Sequence, residues 1–219
     1  MKKDFSKVMD SLVQIKALLL QVAVYGSHGS RCVIILASDP PGLLDSLDEL
    51  RKYCQKRDLA FPLLINRHFV ESSLDSYPLE FLDIVSGKYQ NLFCQEDLLQ
   101  NLVFDKTDLR LQMEREIKGK WLLTRLSVLE QSPKPKVLAA TLQLSIRAIL
   151  PVLKGICYLA DRPIPQETDQ LIAQAEQVCQ TELSLLNTWL QARTAVRQNI
   201  QSYLDILQAL MLHIENLNT

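Results

Sequence analysis

A chain of 219 residues, 47% of them apolar, is long enough for one large domain or two small ones and has ample material for a core. Its formal charge of −1, with acids and bases interspersed, lacks the basic footprint of a nucleic-acid binder and the polybasic patch of a membrane-surface protein. No apolar run approaches the roughly 20 residues that span a bilayer, and the opening MKKDFSKVMDSL has acid and polar residues where a signal peptide has its apolar core, so the expected location is the cytoplasm.

Five cysteines (Cys32, Cys54, Cys94, Cys157 and Cys179) lie far apart with no CxxC pair, which argues against a disulfide framework or a zinc site and for reduced, mostly buried thiols.

In chain order, Phe5, Val8, Leu12, Ile15, Leu18 and Leu19 recur every three or four residues, and the spacing predicts an amphipathic helix over 4–20. Two short apolar segments follow, Val22 to Val24 and Cys32 to Leu36, separated by Gly-Ser-His-Gly-Ser, the pattern of strand, tight turn and neighbouring strand. After Asp39-Pro40-Pro41-Gly42, a second helix is expected from Leu43 to about Arg57, then a third strand over Phe61 to Ile65 in which Pro62 favours an edge or a strand start. A short helical turn from His68 to Leu74 should come next. Leu79, Phe81, Leu82 and Ile84 suggest a largely buried strand that carries Glu80 and Asp83, and a buried carboxylate needs a partner or a proton. Residues 89–104 read as strand or turn with a short helix near Glu96 to Leu99.

From Thr107, a plausible N-cap, Leu109, Met113, Ile117 and Trp121 follow at intervals of four and Leu122, Leu126 and Leu129 extend the pattern, predicting a helix of about six turns with charge pairs on its solvated face. Gly119 within it costs roughly 1 kcal/mol relative to alanine, so a close-packed neighbour is expected there. Ser132 and Pro133 are expected to cap and open the next helix, which Pro151 should kink or break. Beyond Gln166 no proline or glycine occurs, and two or three further helices are expected with boundaries near Thr181 and Gln198. The expected class is α+β, a small mixed β-sheet domain over residues 1–105 followed by an α-helical bundle over 106–219.

The stretch from Val22 to Leu36 carries the chemical question. In a two-metal phosphoryl-transfer site, the strand after the Gly-Ser turn brings two carboxylates to one face, which requires acids at i and i+2. Here the positions hold Arg31, Cys32, Val33 and Ile34. The next acid, Asp39, lies beyond the strand beside Pro40.

Tyr25-Gly26-Ser27, the segment SLDSYPLEFLDI (Ser73 to Ile84) and the helix LRLQMEREIKGKWLLTR (Leu109 to Arg125) together resemble the nucleotidyltransferase-domain proteins of the polymerase-β-like superfamily. Within it the chain is most similar to the bacterial group with a helical C-terminal domain of the kind seen in aminoglycoside nucleotidyltransferases. The resemblance implies that Gly26 and Ser27 match a turn that holds nucleotide phosphates and that Glu80 matches the third catalytic carboxylate. It implies a Mg²⁺ and a nucleoside triphosphate as cofactor and substrate where the acid pair is present. Here that pair is missing, which implies lost catalysis and no bound metal. Arg31 either fills the emptied site and pairs with Glu80, or keeps a phosphate or carboxylate contact.

His28 in the turn suits a base near pH 7 or a simple polar surface residue, Asp75 a turn before Pro78, and His68 and His213 structural roles. Glu114-Arg115-Glu116 is a domain-interface candidate by resemblance.

Three readings follow. The first is a degenerate, non-catalytic nucleotidyltransferase-like protein that binds a ligand or a protein partner. The second is an active nucleotidyltransferase using Glu80, Asp83 and Asp39 in a rearranged Mg²⁺ site. The third is a helical interaction module like those of toxin-antitoxin pairs, marked by a large exposed apolar patch on the bundle but lacking an Arg-x₄₋₆-His ribonuclease motif. A homodimer is implied by resemblance alone, and no nucleic acid or membrane is expected as partner.

Overall fold

Four strands form one mixed sheet in the spatial order β3-β2-β1-β4. They are β1 (Leu19–Tyr25), β2 (Arg31–Leu36), β3 (Leu63–Asn66) and β4 (Gln90–Cys94). The computed structural model describes residues 4–130 and 134–217. Antiparallel pairing of β1 with β2 sets Tyr25 opposite Arg31 and Ala23 opposite Val33, so the turn between them closes a hairpin. β4 pairs antiparallel with the other side of β1, and β3 pairs parallel with β2. As Pro62 suggested, β3 is an edge strand and begins just after the proline.

One face of this sheet, through Val22, Cys32, Ile34 and Leu36, packs on Phe5, Val8, Leu12 and Ile15 and on Leu50, Tyr53 and Cys54 of α1 (Asp48–Arg57). The N-terminal segment is not the helix expected. It forms two 3₁₀ helices, Val8–Ser11 and Val13–Leu18, separated at Leu12. Intervals near three satisfy a 3₁₀ repeat as well as an α-helical one, so the spacing identified the buried residues but not the helix type. The second helix also starts later than expected, because a 3₁₀ turn over Asp45–Leu47 precedes α1. Helix α2 (Arg67–Ser72) is capped by Asn66, whose Oδ1 accepts from the Phe69 amide at 2.8 Å.

The largest departure from expectation lies at Leu79 to Ile84, which is helical. This helix, α3 (Pro78–Val85), opens at a proline with Glu80 in its first turn, both of which suit a helix start. No helix forms at Glu96 to Leu99, where the chain makes a turn after β4.

The helical part comprises α4 (Lys106–Glu130), α5 (Pro135–Leu159), α6 (Thr168–Cys179), α7 (Leu185–Gln191) and α8 (Arg197–Glu215). Asp105, not Thr107, caps α4, its carboxylate accepting from the Thr107 and Asp108 amides at 2.8 and 3.1 Å. The expected cap at Ser132 and first-turn Pro133 lie outside the described residues, and α5 begins with Pro135. Pro151 sits inside α5 without ending it. The carboxylate of Glu176 joins α6 to the start of α7 by accepting from the Leu183 and Ser184 amides at 2.7 and 2.9 Å.

Gly119 has no close-packed neighbour: a β-carbon there would have no heavy atom within 4 Å. The close approach is at Gly155 in α5, where a β-carbon would lie 2.6 Å from Met113 Sδ and 3.0 Å from Leu79 Cδ2. Buried hydroxyls of Thr124, Ser145 and Tyr203 link α4, α5 and α8 at 2.8 and 3.0 Å.

By Cα packing the chain forms two compact units, one of residues 1–75 and 83–103, the other of residues 76–82 and 104–219. Among the described residues, α5 alone is long and apolar enough to cross a membrane, by length and composition only. The core helix of a soluble bundle meets the same two criteria, and α5 packs against α4, α6, α7 and α8.

Candidate functional site

The hairpin turn is built from backbone conformations that ordinary side chains avoid. Gly26 has φ +73° and ψ 178°, Gly29 has φ +65°, and His28 is left-handed at φ +57°. This folds Ser27–Gly29 into a single tight turn and brings Arg31 back alongside Tyr25. The Arg31 guanidinium lies 4.7 Å from the Tyr25 ring centroid and against Gly26. It grips Asp83 of α3 with both terminal nitrogens, Nη1 to Oδ2 and Nη2 to Oδ1, the latter at 3.0 Å. Asp83 is buried at 7% exposure, whereas the Arg31 side chain keeps 40% of its surface in water. Burial pushes the Tyr25 hydroxyl above its usual pKa, with Arg31 acting in the opposite sense.

Arg31 therefore does not pair with Glu80. Because residues 78–85 are helical, it is Asp83 that reaches Arg31, while Glu80 Oε2 accepts from Gln112 Nε2 at 2.7 Å. Gln112, itself buried, turns its Oε1 to the Leu79 amide at 2.8 Å and so satisfies one of the free N–H groups opening α3. Asp39 accepts from Asn66 Nδ2 at 2.9 Å. The three acids of the rearranged metal-site reading thus have three different partners, and no group of three His, Cys, Asp or Glu residues among the described residues could hold a metal ion.

On β2, Val33 is fully buried and paired with Ala23 across the sheet. The residues present do not fit Mg²⁺: the strand offers an arginine and a buried valine where the ion needs carboxylates. Gly26, Ser27 and Arg31 do come together at one end of the β1-β2 hairpin. His28 and His68 are solvent-exposed. Glu114 pairs with Arg110 at 3.1 Å and with Lys118 at 2.5 Å, as a solvated charge row does.

One polar cluster was not anticipated. Gln21, fully buried on β1, donates to Asn91 Oδ1 at 2.8 Å and to Asp97 Oδ1 at 2.7 Å, and accepts from the Leu98 amide at 3.0 Å. Asp97 also accepts from Tyr89, Asn91 and the Leu99 amide. Burial opposes ionisation of Asp97, but the bonds from Tyr89, Asn91, Gln21 and Leu99 outweigh it and hold its carboxyl below the usual range. Burial, then the bond to Asp97, pushes the Tyr89 hydroxyl up to about 12. A glutamine inside an otherwise apolar strand was the available signal.

No known protein family, curated protein or solved structure matches this chain.

Proposed function

We propose that the protein is a degenerate, non-catalytic nucleotidyltransferase-like protein of the polymerase-β-like kind, acting in the cytoplasm by binding a ligand or a protein partner. The observation that carries this reading is the Arg31–Asp83 pair. A fixed cation stands at the start of the strand that would present metal-binding acids and takes up the nearby buried carboxylate. Phosphoryl transfer depends almost wholly on positioning and on metal electrostatics, so exchanging acids for arginine and valine removes its main source of rate. The order of strand, Gly-Ser turn, strand and helix, followed by a helical bundle, supports the kinship; the partners of Glu80 and Asp39 speak against a rearranged Mg²⁺ site.

Isothermal titration of each ribonucleoside triphosphate, with and without Mg²⁺, tests the reading. The expected result is no binding that depends on Mg²⁺. Mg²⁺-dependent binding that disappears in Asp83→Asn would overturn it in favour of an active enzyme.

The interaction-module reading draws support from a separate observation, the exposed Leu122, Leu123, Leu126, Leu129 and Leu144 on α4 and α5.

A further inference from the structure

The buried hydroxyls that join α4, α5 and α8 form a chain with a direction. Each hydroxyl carries a single hydrogen to donate and lone pairs that accept. Tyr203 is fully buried, and its hydroxyl bonds only Ser145 among the described residues, at 3.0 Å. Its hydrogen therefore goes to Ser145; were Ser145 the donor, the phenolic hydrogen would be stranded in the core. Ser145 in turn donates to Thr124 at 2.8 Å. The last hydrogen, on Thr124, has no acceptor among the described residues. Ser72 and Ser202 bond back to the helix carbonyl four residues earlier, at 2.7 and 3.1 Å, but Thr124 does not. Thr124 is nevertheless only 3% exposed, and a buried donor without an acceptor is a deficit that a bound water or ligand relieves.

Thr124 and Ser145 both line a groove of about 190 Å³ between α4 and α5. Lys120 and Ser127 line it from α4 as well, and Leu123 and Leu144 form apolar walls. Lys120 is half-buried and makes no ion pair with any described residue, not even with Glu116 one helical turn before it. None of the lining residues is acidic.

From these two unmet groups, the Thr124 hydroxyl and the Lys120 ammonium, we infer that the groove between α4 and α5 binds a short aliphatic monocarboxylate. Water would accept the Thr124 hydrogen but would leave Lys120 without a counter-charge. A carboxylate answers both, one oxygen accepting from Thr124 and the other from Lys120. A single lysine balances a single negative charge, and the leucine walls suit a hydrocarbon substituent. The groove is smaller than the roughly 300 Å³ at which ligand pockets usually begin, which limits the acid to a short one. The inference rests on neither the nucleotidyltransferase reading nor the Arg31–Asp83 pair.

Titration of hexanoate into the full chain, followed by calorimetry and by the chemical shift of the Thr124 methyl group, should show saturable binding. Hexanol, with the same tail and no charge, should not bind, and inorganic phosphate should bind about tenfold more weakly or worse. Thr124→Val, which nearly keeps the shape and removes the hydroxyl, should weaken hexanoate binding about tenfold or more, and Thr124→Ser should retain it. Lys120→Met should weaken binding as strongly without touching the hydroxyl chain, so a folding defect in the valine variant leaves the test intact. Hexanoate that fails to saturate in the millimolar range would overturn the inference and leave water as the occupant of the groove. Equal binding of hexanol, tighter binding of phosphate, or unchanged affinity in Lys120→Met would overturn it too.

Discussion

The guanidinium of Arg31 lies so close to Gly26 that a β-carbon on the glycine would meet Arg31 Nε at 3.1 Å. The backbone of Gly26, at φ +73° and ψ 178°, is also in a region that is essentially confined to glycine. Gly26→Ala should therefore cost about 1–3 kcal/mol, through backbone strain and displacement of Arg31 together. Urea unfolding measures the loss; displacement of Arg31 alone would push the Tyr25 pKa up further, because the guanidinium lowers it, whereas a fall toward the solvent value would report that the burial of Tyr25 had been lost.

Removing Arg31 leaves the Asp83 carboxylate buried without its bidentate partner. Arg31→Ala should destabilise by about 1–3 kcal/mol, less than the loss from a wholly buried pair because the arginine is 40% exposed. Replacing both partners, as Arg31→Met with Asp83→Leu, should recover most of that loss. A double variant no more stable than Arg31→Ala would show that Asp83 is held by groups other than the arginine.

Two glycines should respond in opposite directions. Gly155→Ala drives a β-carbon toward Met113 and Leu79 in a packed core and should cost about 1–3 kcal/mol. Gly119→Ala meets open space and should raise stability by up to about 1 kcal/mol through helix propensity. Thermal unfolding of the two variants side by side decides the point.

Asp97 should make the protein acid-labile. Its folded pKa lies below the unfolded value of about 3.9. The stability it contributes is therefore complete above about pH 4–5 and is lost as pH falls through the depressed folded value. Asp97→Asn should flatten the decline in urea midpoint below pH 4, at a cost in stability at neutral pH that the wild-type network does not bear. An unchanged acid limb in the variant would place the titrating group elsewhere.

The contrast between what could be read and what could not follows the range of the interactions. The hairpin was legible because Val22 to Leu36 combines β-branched residues with an unmistakable turn, and α4 through α8 because long repeats of apolar residues have one period. α3 was misread because Leu79, Phe81, Leu82 and Ile84 form a run too short to distinguish a buried strand from a buried helix, although Pro78 and Glu80 signalled a helix start. That error carried into the site, since the turn of a helix decides whether Glu80 or Asp83 reaches Arg31. The partners of Gln21 and Gln112 lie up to 77 and 33 residues away in sequence, beyond what local pattern can indicate. Gly119 and Gly155 look alike in a sequence, and only packing separates the open one from the filled one.

The division of α3 has a practical consequence for dissecting the protein. Leu79 packs at Gly155 and Met113 and takes its amide bond from Gln112, so residues 76–82 belong with the helical unit although a stretch of the sheet unit, 83–103, separates them from it along the chain. A fragment starting at Lys106 would lose Leu79 and leave Gln112 and Gly155 facing a gap. Expressing either half alone would thus require two chain breaks and a graft or circular permutation; simple truncation would yield a wounded core instead of an autonomous domain.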